Sequence, residues 1–337
     1  MDSPDENISS ALGEYLASTR HLEHWVLAGK RSGNSLRFPL GARPARIASL
    51  PDGRRARLRA IAGAYSRIKP HRVHAHSFGA GVYVRLALNI PTDSIVYSPH
   101  CYDFERQDRT AAARFLNAAC EYLLAPRADA VAVSNPREGQ LAARLHRTGK
   151  IIHVPHVPHI STLDAMDVPP FATTGPTAVA MGPLIPQRDP AFFARAVATA
   201  RSDTTWIWIG DGEPRYRRLL EDAGVCVTGR LPRRNMTRLL QTADVYVHTA
   251  AWEGSYDTLL QAATADLPIV ARSIPALEIL RIPGLADTPE TLADTVLRLL
   301  SSPVDRRIHH EGVRRAFRYH TRATQSARLR EIYESAR

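Results

Sequence analysis

The chain has 337 residues, 44% of them hydrophobic and 23% charged, a size and balance that suit two globular domains rather than one core. No run approaches the roughly 18 apolar residues that a membrane span needs, and the polar start MDSPDENISS is no secretory signal. The three cysteines, Cys101, Cys120 and Cys226, are scattered, which argues against a disulfide framework or a zinc site and for a cytoplasmic protein. The formal charge of +11 is uneven: residues 1–160 hold 22 Lys+Arg against 13 Asp+Glu, and the remainder 22 against 20.

Along the first half, HWVLAGK (24–30), HRVHAHS (71–77), SIVYSPH (94–100), ADAVAVSN (128–135) and KIIHVPHV (150–157) read as strands. GRRARLRAIAGAYSRIK, from Gly53 to Lys69, reads as a helix. Its residues Leu58, Ile61, Ala62, Tyr65 and Ile68 recur at helical spacing and face a core. Arg54, Arg55, Arg57 and Arg59 crowd its start, where the helix dipole is already positive, and would suit a surface anion such as an anionic membrane. His74 and His76 share one strand face but lack the carboxylate or cysteine partners of a metal site. Residues 159–176, rich in Pro, Thr and Gly, read as a linker between a first domain over 1–158 and a second over 177–312.

The second half repeats the alternation with TAVAMGP, TTWIWIGDG, GVCVTGR, DVYVHTA and LPIVARS as strands. Their apolar residues run on without strict alternation, as in parallel strands covered on both faces. Asp189-Pro190 and Thr288-Pro289 each place a capping side chain before a proline at the first helical position. Pro214 opens another helix and Gly224 closes it. Residues 313–337 read as a C-terminal helix that packs back toward the first domain. The fold class is α/β: two Rossmann-like domains whose parallel sheets face each other across a cleft, with ligands at the carboxyl ends of the strands.

Specific residues gather at those strand ends: MGPLIPQRDP (181–190), IGDGEPRYRRLLEDAG (209–224), VTGRLPR (227–233), ADVYVHTAAWEG (243–254) and LLQAATADLPIVA (259–271). In that order the sequence resembles the donor domain of the retaining GT-B glycosyltransferases of family 4. The segments around HRVHAHSFGAGVYVRLAL, IVYSPHCYDFERQD and ADAVAVSNPRE resemble that family's acceptor domain. The resemblance implies transfer of a sugar from a nucleotide-sugar donor, with retention, to a glycan or lipid-linked acceptor in polysaccharide or glycoconjugate synthesis. It implies no cofactor beyond the nucleotide sugar as co-substrate, no metal, no nucleic-acid partner, and a cytoplasmic protein, peripheral at the inner face of the cell membrane.

The same resemblance assigns roles. Glu253 and His100 would face the donor sugar, and Arg188, in place of the family's usual lysine, would hold the diphosphate. Gly254, Ser255 and Tyr256 would lead into a helix start that offers backbone N–H groups to the phosphates. Gln261, where the family has a second acid, would contact the ribose, and Gly182, Gly210 and Leu231 would complete the donor pocket. The chain departs from the pattern at Pro183, which replaces a diphosphate-binding arginine, and at Asp257, an acid at the phosphate turn that could cap the helix. Its N-terminus begins in the helix that follows the family's first strand. These departures support an alternative, a non-catalytic GT-B subunit that binds a partner enzyme or a glycan.

Overall fold

The structure, a computed structural model, describes residues 4–29, 44–146, 149–158, 175–200 and 203–334. The chain divides into two compact units, Met1–Val157 with His320–Arg337, and Pro158–Tyr319. The linker expected over 159–176 lies, but for Gly175 and Pro176, outside the described residues.

The first unit runs α1 (Pro4–Ser18), β1 (Trp25–Gly29), β2 (Arg46–Leu50), α2 (Arg54–Ile68), β3 (Val73–His76), α3 (Phe78–Leu86), β4 (Ile95–Ser98), α4 (Ala111–Leu124), β5 (Ala130–Val133), α5 (Pro136–Leu145) and β6 (Lys150–His153). Strands β3 to β6 form a parallel sheet in that order, while β1 pairs in parallel with β2 in a separate two-stranded sheet. The strand β2 is absent from the sequence-based reading because Arg46–Leu50 is almost wholly exposed and carries no burial pattern.

Alternate side chains of β4 and β5 point to opposite faces, and each face has its own core. On one face Tyr97, Val131 and Val133 pack with Ile61 of α2, Val84 of α3 and Leu141 of α5. On the other, Val96, Ala130 and Ala132 pack with Tyr15 of α1 and with Leu329 and Ile332 near the end of the chain.

The second unit runs β7 (Thr177–Met181), α6 (Pro190–Thr199), β8 (Thr205–Ile209), α7 (Pro214–Asp222), β9 (Cys226–Val227), α8 (Arg233–Thr242), β10 (Val245–His248), α9 (Asp257–Thr264), β11 (Ile269–Arg272), α10 (Pro275–Glu278), β12 (Leu285–Ala286), α11 (Pro289–Ser301) and α12 (Pro303–Phe317). Its six parallel strands are ordered β12-β11-β10-β7-β8-β9. The capping signals act as read: Asp189 accepts from Phe192 N and Thr288 from Thr291 N, while Gly224, after α7, has φ 84°.

The C-terminal region departs from the expected single helix over 313–337. Helix α12 ends at Phe317, with Val313 and Phe317 buried in the second unit's core. Thr321 then caps a new helix, α13 (Arg322–Tyr333), which belongs to the first unit. The break follows from burial: the two apolar residues that hold α12 and the two that hold α13 serve different cores.

Helix α2 forms where expected, with Ile61 and Ala64 as its buried residues. Arg54, Arg55 and Arg59 are exposed. Arg57 differs from the expectation of a free cluster: its Nε donates to Pro51 O at 3.1 Å and its guanidinium lies 3.7 Å from Asp52. No helix among the described residues is long and apolar enough to cross a membrane.

Candidate functional site

In the second unit the chain starts at β7, proceeds outward through β8 and β9, then crosses to β10 and proceeds the other way. The order reverses between β7 and β10, and at such a reversal the loops leaving adjacent strand ends diverge to opposite faces and open a crevice. The two loops there, 182–189 after β7 and 249–256 after β10, carry Arg188 and Glu253.

Several constraints aim Arg188 into this place. Pro186–Arg188 form a 3-10 turn that stops at Asp189, held at φ 43° by its role as cap of α6 and by Arg272 Nη1, which donates to Asp189 Oδ2 at 2.6 Å. The loops are tied to each other: Ala251 N donates to Gln187 O (2.8 Å), and Thr249 Oγ1 to Arg188 O (2.7 Å). Gly182 at φ 142° makes the space, since a Cβ there would stand 2.9 Å from Arg188 Nε. Gly210, also at φ 142°, closes the end of β8 onto β7, where a Cβ would collide with the Gly182 carbonyl oxygen.

The result is a buried ion pair. Arg188 Nη1 donates to Glu253 Oε2 at 2.5 Å, with both residues 5% exposed. Gln187 Nε2 donates to Glu253 Oε1 at 3.3 Å and to Trp252 O at 3.2 Å. His248 Nε2, at the end of β10, lies 3.2 Å from Glu253 Oε2 without hydrogen-bond geometry. Burial alone would push the Glu253 carboxyl up, but the Arg188 guanidinium outweighs it and holds the carboxyl below its usual range. Burial holds His248 below its usual range, so it is neutral at pH 7. Arg188 Nε is buried without an acceptor among the described residues.

Sequence reasoning named Arg188 and Glu253 separately, one for phosphate and one for sugar, and the structure joins them. It also brings Gly182 and Gly210 to the same strand ends. Gly254, Ser255 and Tyr256 are buried just before α9. The Tyr256 ring faces the core, with its hydroxyl donating to Ala276 O at 2.5 Å, so the side chain does not face a ligand. Asp257 does not occupy the cap: Tyr256 does, with no side-chain capping bond, and Asp257 is the first helical residue. Gln261 sits half-buried on α9, and Leu231 packs against the core beside Met236; neither hydrogen-bonds the ion pair. Gln187, His248 and Thr249 were missed. A signal existed for His248, a polar residue that ends the apolar run VYVH next to the crevice.

His100 belongs to the first unit. It follows β4 with φ 51°, and Cys101 with φ 79°, two consecutive left-handed residues that re-aim the chain. Glu138 pins this turn by accepting from Cys101 N (2.5 Å), Ser134 N and Ser134 Oγ (both 2.8 Å). His74 and His76 stack with centroids 4.1 Å apart, and His76 Nδ1 meets His100 Nε2 at 2.9 Å. His74 Nδ1 meets the Tyr333 hydroxyl at 2.6 Å and its Nε2 meets Ser98 Oγ at 2.8 Å. Burial pushes His74 down to about 3, and burial with the neighbouring histidines holds His76 and His100 well below their ordinary value. All three are neutral rings at pH 7, able to give and take hydrogen bonds.

Two family matches span most of the chain. Residues 11–156 match the glycosyl transferase 4-like domain, and residues 175–302 match the glycosyl transferases group 1. The chain belongs to the group 1 glycosyltransferases. It is a GT4-like enzyme of GT-B fold, and solved structures agree on that fold. Sucrose-phosphate synthase from Thermosynechococcus elongatus is 16% identical, with 96% of this chain and 91% of that one covered and a TM-score of 0.75. Anabaena HepE, solved with UDP and glucose, is 16% identical, with 97% and 96% covered and a TM-score of 0.74. WaaG, a glycosyltransferase involved in lipopolysaccharide biosynthesis, is 15% identical, with 97% and 95% covered and a TM-score of 0.67. No curated protein sequence matches this glycosyltransferase.

Proposed function

We propose that this glycosyltransferase moves a sugar from a uridine-diphosphate donor, with retention of configuration, to a glycan or lipid-linked acceptor in polysaccharide or glycoconjugate synthesis. The observation that carries the site assignment is the buried Arg188–Glu253 pair at the strand reversal. A diphosphate entering there competes with Glu253 for the guanidinium, whose Nε is already without an acceptor. The donor thus exchanges one anionic partner of Arg188 for another and frees the Glu253 carboxylate to accept hydrogen bonds from sugar hydroxyls. The start of α9 brings backbone N–H groups and the positive end of the helix dipole to the phosphate side. These groups neutralise the leaving diphosphate without a metal. The Gln261 amide takes the ribose.

UDP is chosen as the nucleotide because fold relatives were solved with it, HepE with UDP and the Escherichia coli protein described as trehalose-6-phosphate with UDP-2-fluoro glucose. The acceptor is placed at an anionic membrane on the cytoplasmic side, which suits the basic first half and the Arg54, Arg55, Arg57 and Arg59 cluster. The test is Glu253→Gln, an isostere that keeps the pocket's shape. Turnover of UDP-sugar should fall to background while UDP binds at least as tightly as to wild type, since the lost carboxylate serves the sugar and no longer competes with the diphosphate for Arg188. Transfer at the wild-type rate would remove Glu253 from the site.

A further inference from the structure

Glu253 Oε2 stands between two basic side chains. Arg188 Nη1 reaches it at 2.5 Å from the loop after β7, and His248 Nε2 at 3.2 Å from the end of β10. The two differ in kind. Arg188 is charged and donates to the carboxylate, whereas His248 is a neutral ring, its side chain 2% exposed. Its Nε2 has no hydrogen-bond partner among the described residues. The shorter, charge-assisted bond to Arg188 already occupies the oxygen that the imidazole faces. A buried, unpartnered ring nitrogen beside a buried carboxylate is a place held in reserve.

Donor binding removes the cation that keeps this arrangement neutral. When a diphosphate takes the guanidinium, Glu253 keeps only the Gln187 amide, at 3.3 Å from Oε1. A neutral amide does not offset a charge on a side chain that is 1% exposed. The other groups around the pair supply no cation. Tyr246 lies two residues before His248 on the same face of β10, and burial pushes its hydroxyl up to about 12, so it is uncharged. Asp257, the first residue of α9, adds a negative charge that acts on Arg188. Arg272, at the end of β11, is held by Asp189 at 2.6 Å. Among the described groups that face Glu253, His248 alone can become positive in place of Arg188. Its ordinary value of about 6.5 lies nearer neutral pH than the carboxyl's own, about 4.3.

We infer that donor binding is coupled to the uptake of one proton, which turns His248 into an imidazolium and replaces Arg188 as the cation beside Glu253. The inference rests on the reading that diphosphate and Glu253 compete for Arg188. The proton comes from solvent and the one new bond is an N–H of the ring. Nε2–H then donates to Oε2, so Glu253 stays ionised and able to accept from sugar hydroxyls. His248 is thus a positioning residue that acts through Glu253. The sign follows from the charges. In the free protein, burial and the Arg188 charge hold the ring below its ordinary value, against the pull of Glu253. In the complex the diphosphate offsets Arg188 while the pull of Glu253 remains, so the ring becomes more basic. The gain in binding is therefore full below the free ring's value and is lost as pH rises through the bound ring's value.

The experiment is calorimetry of the full chain with UDP at about pH 7, in buffers of differing ionisation enthalpy, which counts protons taken up. Wild type should take up about half a proton or more per UDP bound. Its affinity should fall about twofold or more between about pH 7 and 8.5, where the terminal phosphate, ionising near about pH 6, is already charged. His248→Gln keeps a neutral donor and Glu253→Gln removes the charge to be offset. Both should bind UDP with almost no proton uptake and a flat pH profile. A merely structural His248 would alter the variant's affinity and leave the proton count unchanged. UDP bound by wild type without proton uptake, the guanidinium holding diphosphate and Glu253 together, would overturn the inference and leave the donor site standing. Uptake that survives in either variant would put the proton elsewhere and overturn it too. No UDP binding by wild type would remove the donor site, and the inference with it.

Discussion

The Arg188–Glu253 pair makes a quantitative prediction for Arg188→Met, a substitution that keeps the volume and removes the charge. In the parent, the Glu253 side chain is 1% exposed and its charge is met by Arg188 at 2.5 Å; the Gln187 amide at 3.3 Å is neutral, and so is His248. Unit charges about 4 Å apart at an effective dielectric near 20 attract by about 4 kcal/mol. Removing one member of a buried pair costs about 3–5 kcal/mol, chiefly because the other is left without compensation. For a unit of this size that lowers the melting temperature by about 10 °C. The pH dependence carries the sign. Glu253 is depressed in the folded parent, so the stability from its pairing is full above the ordinary glutamate range and is lost as pH falls through the depressed value. In Arg188→Met, burial acts unopposed and raises the carboxyl, so the penalty is largest near pH 8 and shrinks as acid neutralises Glu253. Denaturant unfolding of parent, Arg188→Met, Glu253→Gln and the double variant, at about pH 8 and about pH 5, measures both quantities. The double variant should recover at least about 2 kcal/mol relative to the sum of the singles. A penalty below about 1 kcal/mol, or one that is equal at the two pH values, would refute a buried, mutually dependent pair.

Two further expectations concern the ribose and the histidines. Gln261→Glu turns an ordinary acceptor into a charged one and should tighten UDP-donor binding by about 1–2 kcal/mol in calorimetry; no change in a protein that binds UDP would place the ribose elsewhere. His74, His76 and His100 are neutral in the folded state and would take up protons on unfolding below about pH 6.5, so the first unit should lose stability as pH falls from there toward His74's value of about 3. Hydrogen exchange of the β3 and β4 amides at pH 7.5, 6 and 5 reads this directly, and a flat profile would mean that the rings are already solvated.

What the sequence revealed follows from which forces act locally. Strands such as TWIWI are legible because both faces are buried, and Asp189-Pro190 because capping is settled within a few residues. The pairing of Arg188 with Glu253 spans 65 residues, and nothing in either loop states that the β7–β10 reversal will bring them together. Strand β2 has no apolar pattern to reveal it, since its side chains are exposed. Helix α4 shows a deeper limit. Helical periodicity identifies an apolar face, but its direction is decided by Glu121, whose partners Arg85 and Tyr97 lie on other elements.

The split of the first unit has a consequence for biosynthesis. Its core needs Leu329 and Ile332, and Gln325 bonds back to Ser18 Oγ at 2.5 Å, to Pro155 O at 2.9 Å and to Glu14 at 3.2 Å. The second unit, continuous from Pro158 to Tyr319, has no such dependence. On a ribosome that makes about 5–20 residues each second, the half begun first is therefore finished last. For several seconds its sheet waits with Val96, Ala130 and Ala132 uncovered by α13, and a chain released a few residues short of α13's end would keep its second unit and lose the closure of its first.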